Sequence, residues 1–307
     1  MRTMYLAAAA VSLIACTVEA PDTSVTTQNV ETHNRLASNR LASNRLASNR
    51  LASNRLASNS LDSTKLTALN ETSEILGTHS GRIVYSYIVS CALPEGTTIS
   101  KSGVVDQECE SDATDLSYTC TVGGLANDAY CTNGDCTFSG GVGVAPEWID
   151  HKLTPHGQGW VSACLFARVN AHDTAEAISL RGRNSALAVS QSEVELYTIQ
   201  EGAFYGNLFT NDPEIDWNVC AGANAADAQA QLRDCTLADP SDPTHSVCGF
   251  KLAGDCSDYT PSVPSPYACA NYNAGQGIFG DCHADAGMGK WPSSTKYREV
   301  ITTYVSN

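Results

Sequence analysis

Apolar and polar positions divide the chain into stretches with different rhythms. Residues 5–15 are a continuous apolar run behind a single cation, Arg2. The run falls short of the roughly 20 residues that span a bilayer, and it reads as the core of a signal peptide. Residues 16–33 are polar, Thr-rich and without period, the signature of a disordered spacer. From 34 to 68 the leucines fall every fifth position, at Leu36, Leu41, Leu46, Leu51, Leu56, Leu61 and Leu66. Five steps along an α-helix leave a net turn of about 140°, so these leucines form no stripe. On a strand an odd step sends successive leucines to opposite faces. Neither regular element buries the row. Two readings stay open: a flexible tether, and a short pentapeptide-type coil or docked extended segment.

From residue 78 the pattern turns to short apolar runs between turn residues. Strands are expected over 82–93, 97–105, 116–122, 178–181, 194–199, 217–221 and 298–305, from β-branched and aromatic content. Helices are expected over 160–169, where Trp160, Cys164 and Ala167 share a face, and over 225–233. Residues 234–289 are rich in Cys, Pro, Gly, Ser and Asp and read as loops pinned by disulfides. The expected fold class is a β-rich α+β domain over 78–307. A sub-lobe over 222–296 is an option, with the last strand returning to the main sheet. This single disulfide-stapled extracytoplasmic domain would sit behind a low-complexity repeat tether.

Charge and cysteine content sharpen the picture. The chain carries a formal net charge of −15, and residues 78–307 hold 27 acidic against 11 basic side chains. Such a surface argues against nucleic acid as a partner. The repeat, by contrast, carries Arg35, Arg40, Arg45, Arg50 and Arg55 with no acid among them. A cation row beside a membrane would contact anionic lipid. Twelve cysteines follow Cys16: Cys91, Cys109, Cys120, Cys131, Cys136, Cys164, Cys220, Cys235, Cys248, Cys256, Cys269 and Cys282. An even number in an exported chain implies six disulfides, and hence an oxidising compartment. Cys131 and Cys136 flank Asn133-Gly134, a turn that brings them to bridging distance. No tandem C-x-x-C pair points to zinc.

Three resemblances add to this. Leu13-Ile14-Ala15-Cys16 resembles a bacterial lipobox, which implies cleavage after residue 15 and acylation of Cys16. Thr17 then favours the outer membrane. The lipobox, the tandem Asn-Arg-Leu-Ala-Ser row and the Cys-rich acidic body together resemble secreted lipoproteins of myxobacteria. The stretches that carry this are SYIVSCALPEG (86–96), VAPEW (144–148), GWVSACLFARVNAH (159–172), ISLRG (178–182), EGAFYGNLF (201–209) and EVITTYV (299–305). That resemblance implies location and domain extent and supplies no activity. Finally, Gln158 six residues before Cys164 at a helix start is similar to the papain motif, with His283 as the base. The chain departs from that pattern. Val161 stands where papain has a Cys, His283 follows too soon, and no Asn-Ser-Trp comes after it. A free Cys164 would also leave an odd cysteine.

Candidate cofactor chemistry is limited to calcium, through Asp106, Glu108, Glu110, Asp112 and Asp115 or through the cluster at 211–216. Neither has EF-hand spacing, and a solvated acidic loop explains both. The aromatics at 204–209 fit either a buried strand pair or a surface that stacks on sugar or peptide. Three functions are therefore carried forward. The first is a lipoprotein of the outer membrane or cell surface whose domain binds an extracellular protein or polysaccharide. The others are a secreted hydrolase using Cys164 and an envelope coat protein assembled through the repeat row.

Overall fold

The computed structural model describes residues 61, 75–106, 124–172, 176–210, 216–257, 268–284 and 296–307. The first element, α1, is a helix over His79–Ala92. The Thr78 hydroxyl caps it by accepting from the Gly81 N–H at 2.9 Å. This corrects the expected strand over 82–93. The partly open positions are His79, Ser80, Ile83, Ser86 and Ser90, at helical three- and four-residue spacing after the first turn, while the residues between them are buried. A helix submerged on most of its surface has no use for low strand propensity. Strand preference measures fit to a half-buried pleated face, and α1 offers none.

β1 (Thr98–Lys101), β2 (Cys131–Thr132) and β3 (Asp135–Ser139) form an antiparallel sheet in the order β1-β3-β2. Cys131 pairs with Cys136 in register, and Thr132 with Asp135. The two residues between, Asn133 and Gly134, both have positive φ, at 51° and 81°. That backbone is the type I′ hairpin turn, which Asn-Gly favours. Cys131 and Cys136 are bonded across it.

α2 (Pro155–Ala167) begins earlier than expected, because Thr154 caps it and Pro155 supplies its first position. It packs on the largest sheet. That sheet has seven strands in the order β4-β13-β5-β6-β9-β8-β7. They are β4 (Ile178–Arg181), β5 (Tyr197–Gly206), β6 (Trp217–Ala221), β7 (Ala238–Asp239), β8 (Asp242–Ser246), β9 (Lys251–Asp255) and β13 (Ile301–Ser306). All pairings are antiparallel except β6 with β9. The strand expected over 194–199 is split. Ser190 caps a short helix, α3 (Gln191–Leu196), and β5 starts only at Tyr197. The helix expected over 225–233 is α4 (Ala225–Ala230), ended by Leu232 at φ 58°.

The loop-only reading of 234–289 is also corrected. β7, β8 and β9 lie there, and β9 runs beside β6 in the main sheet. β10 (Cys269–Ala270), β11 (Asp281–His283) and β12 (Lys296–Tyr297) make a third, small sheet. The strand expected over 116–122 lies outside the described residues. The chain is thus β-rich with four helices among the described residues.

Among the described residues five disulfides brace it: Cys91–Cys164, Cys131–Cys136, Cys220–Cys256, Cys235–Cys248 and Cys269–Cys282. Cys109 and Cys120 lie outside the described residues, as does Cys16. This density of bridges belongs to an oxidising, extracytoplasmic environment. Among the described residues no helix is long and apolar enough to cross a membrane. The aromatics at 204–209 are core: Phe204, Tyr205, Leu208 and Phe209 are all buried. Trp148 and Trp217 join them there, while Trp291 lies outside the described residues. One leucine of the five-residue row is also buried in this core. Leu61 is fully covered, and its N–H donates to the Trp148 carbonyl at 2.8 Å.

Two buried ion clusters fix the interior. β5 bulges opposite β13, where Thr303 pairs with Gly202 but Tyr304 with Gln200. The extra residue is Glu201, and its side chain is fully buried. Glu201 Oε2 accepts from Arg233 Nε at 3.0 Å, from Arg233 Nη2 at 2.8 Å and from the Thr303 hydroxyl at 2.8 Å. Arg233 also donates to the carbonyls of Ala167 and Val169, at the C-terminal end of α2. The second cluster holds α1. Arg82 donates to Asp106 at 2.5 Å and to Asp128 at 2.6 Å, and His79 Nδ1 lies 2.9 Å from Asp128.

Candidate functional site

Two long helices and a hairpin meet around one cavity. α1 contributes Ser86, Tyr87 and Ser90, the turn before β2 contributes Ala129 and Tyr130, and β3 contributes Thr137, Phe138 and Ser139. Gly140 and Arg168 complete the lining, and the cavity holds about 470 Å³. That volume lies within the range of about 300–1,000 Å³ usual for small-molecule sites. Ser86 and Ser90 face it together because they are one helical turn apart. Tyr130 forms an aromatic wall, stacked at 6.0 Å on the buried Phe138, which in turn packs edge-on against Tyr85 at 4.7 Å.

Arg168 caps the C-terminus of α2, a place that favours a cation. It is only 6% exposed. Its guanidinium sits over the Tyr87 ring, 4.6 Å from the centroid. Nη1 donates to the Ser90 hydroxyl at 3.0 Å and lies 3.7 Å from Cys91 Sγ. Nε is buried without a hydrogen-bond partner among the described residues. No carboxylate among the described residues forms an ion pair with Arg168. Burial pulls the guanidinium down to about 10, opposed by Tyr87 and Tyr130, so it stays charged at neutral pH.

The covalent frame explains how the charge is held. Cys164 and Arg168 are one turn apart on α2, and Tyr87 and Cys91 are one turn apart on α1. The Cys91–Cys164 bridge ties these two faces together, with the Cα atoms 5.9 Å apart. Arg168 therefore has Tyr87 and Ser90 beside it by construction.

That same bridge removes the papain-like arrangement. Cys164 is half of a disulfide and presents no thiolate. The Gln158 amide is already used, donating to the Leu153 carbonyl at 3.2 Å and accepting from Asn207 at 3.2 Å. His283 sits in β11, next to the bonded Cys282, which belongs to a core cluster separate from the one that holds Cys164. Burial and Lys296 push its imidazole below the usual histidine range. The three residues form no site.

Of the calcium candidates, Asp106 is buried and engaged by Arg82. Glu108, Glu110, Asp112 and Asp115 lie outside the described residues. In the cluster at 211–216 only Asp216 is described, and it accepts from Asn218 and from the Tyr297 hydroxyl. Arg168, Tyr87 and Ser90 were not singled out by sequence reasoning. Their signals were present: an arginine ending the apolar run WVSACLFA, and serines keeping helical spacing within the run taken as a strand.

No protein-family model, no curated protein and no solved structure matches the chain.

Proposed function

We propose that the chain is an envelope-anchored lipoprotein that displays a small-molecule-binding domain outside the cytoplasm. The observation that carries this reading is the cavity between α1, β3 and the end of α2. It combines an aromatic wall, hydroxyl groups and a buried guanidinium on a frame that a disulfide holds in place. Rigid, partly apolar concavities with a few convergent polar groups are the usual form of ligand sites. The anchor is Cys16, by its lipobox, and the outer membrane is its destination by the residue that follows. The row of repeats sets the domain off from the membrane, and the burial of Leu61 supports a tether fastened to the body at that residue.

Two measurements test the reading. Cys16→Ser should release the chain from the membrane fraction and abolish labelling by a fatty-acid analogue. A variant that stays with the membrane unlabelled would overturn the anchor. For the cavity, Thr137→Trp fills it from an exposed strand position. Small extracellular metabolites that raise the melting temperature of the wild-type chain should fail to do so in this variant. Equal shifts in both proteins would overturn the cavity as the binding site.

A further inference from the structure

We propose that the cavity recognises the carboxylate of a small organic monoanion, whose apolar body lies along Tyr130. This deepens the binding reading above and rests on it. The argument starts from an imbalance. A guanidinium buried to this degree is normally paired, because an uncompensated interior charge is costly. Arg168 has instead an aromatic face, one serine hydroxyl and a disulfide sulfur. None of these carries negative charge at neutral pH. Nε has no partner among the described residues although its neighbour Nη1 has one. A planar guanidinium with unused donors matches a carboxylate through two parallel hydrogen bonds.

Charge counting narrows the class. The cavity lining holds one cation and no anion, so one negative charge neutralises it. A phosphate dianion would leave a surplus charge in a partly buried place. The body around the site is itself strongly acidic, which disfavours polyanions at a distance and costs a monoanion least. Hydroxyls of Ser86, Thr137 and Ser139 in the lining serve polar substituents of the ligand. The partly exposed Tyr130 ring, backed by the buried Phe138, offers an apolar surface to its body.

The test uses the full chain, oxidised, and four matched probes: 3-phenylpropionate, its amide, 3-phenylpropylamine and phenyl phosphate. Saturation-transfer NMR reads binding at millimolar probe, and Thr137→Trp defines what is specific to the cavity. The carboxylate should bind at least about tenfold more tightly than the amide. Arg168→Lys keeps the charge and loses the planar fork, and it should erase that preference. Circular dichroism on the same samples separates this from unfolding. Ser90→Ala, which leaves the guanidinium in place but removes its hydroxyl partner, should weaken the carboxylate less than Arg168→Lys does. Equal binding of amide and carboxylate, or tighter binding of the phosphate, would overturn the carboxylate assignment while leaving the cavity as a binding site. Failure of all four probes to show Thr137-dependent transfer would overturn both.

Discussion

A single carboxylate shows how the interior responds to acid. Asp128 sits at the root of the β2–β3 hairpin. Its Oδ1 accepts from the backbone N–H groups of Tyr130 and Cys131, and its Oδ2 from Arg82. Burial works to raise its carboxyl, but the hydrogen bonds from His79, Arg82 and the backbone prevail and hold it down to about 2. An unfolded aspartate titrates near 3.9. The stability Asp128 supplies is therefore fully present above about pH 5 and is lost as the pH falls from about 4 to about 2. Asp128→Asn should cost about 2–3 kcal/mol at neutral pH, because charged hydrogen bonds to a buried arginine are lost. It should also flatten the acid limb of a plot of urea midpoint against pH. An unchanged acid limb would assign the acid sensitivity elsewhere. At this scale the sequence was half legible. Asn133-Gly134 between two cysteines announced its turn, since few other dipeptides accept positive φ twice. Asp128 and Arg168 gave no comparable sign, because their roles depend on residues 46 and 78 positions away.

Among elements, the α1–α2 pair carries the most consequence. Its bridge closes a span of 73 residues. In the chain-entropy model, removing a link of that span costs about 4 kcal/mol. The double variant Cys91→Ala/Cys164→Ala, unfolded in denaturant with the remaining bridges intact, should show that loss. It should also loosen Arg168 from Ser90, and the carboxylate preference of the cavity should fall with it. A loss under about 1 kcal/mol would mean that packing of the helices alone holds them together. β4 and β6 match the expected strands at 178–181 and 217–221, because each is a brief β-rich run bounded by turn residues. α1 was illegible for the opposite reason. Residues 83–92 are apolar or aromatic except at Ser86 and Ser90, a run that a strand also accommodates, and only the neighbours it packs against decide.

For the whole molecule, strand order was the hidden quantity. Composition announced an oxidised, β-rich body, but not that β9 lies parallel to β6 or that β13 inserts between β4 and β5. Such pairings are set by which surfaces fit, at sequence separations no local pattern encodes. The place of β13 reaches into the life history of the protein. Residues 301–306 fill an interior position of the main sheet, yet they follow every other element described. A polypeptide leaving the cytoplasm amino end first would expose β4 and β5 across the membrane while the strand between them was still inside. The sheet cannot close until residues 301–306 have crossed, so the body stays threadable until that strand arrives. A chain cut after Val300 should lack a cooperative unfolding transition. A synthetic peptide of residues 296–307 added in trans should restore one, by strand addition into the open slot. A truncated chain that melts like the intact one would instead place the folding decision before export ends.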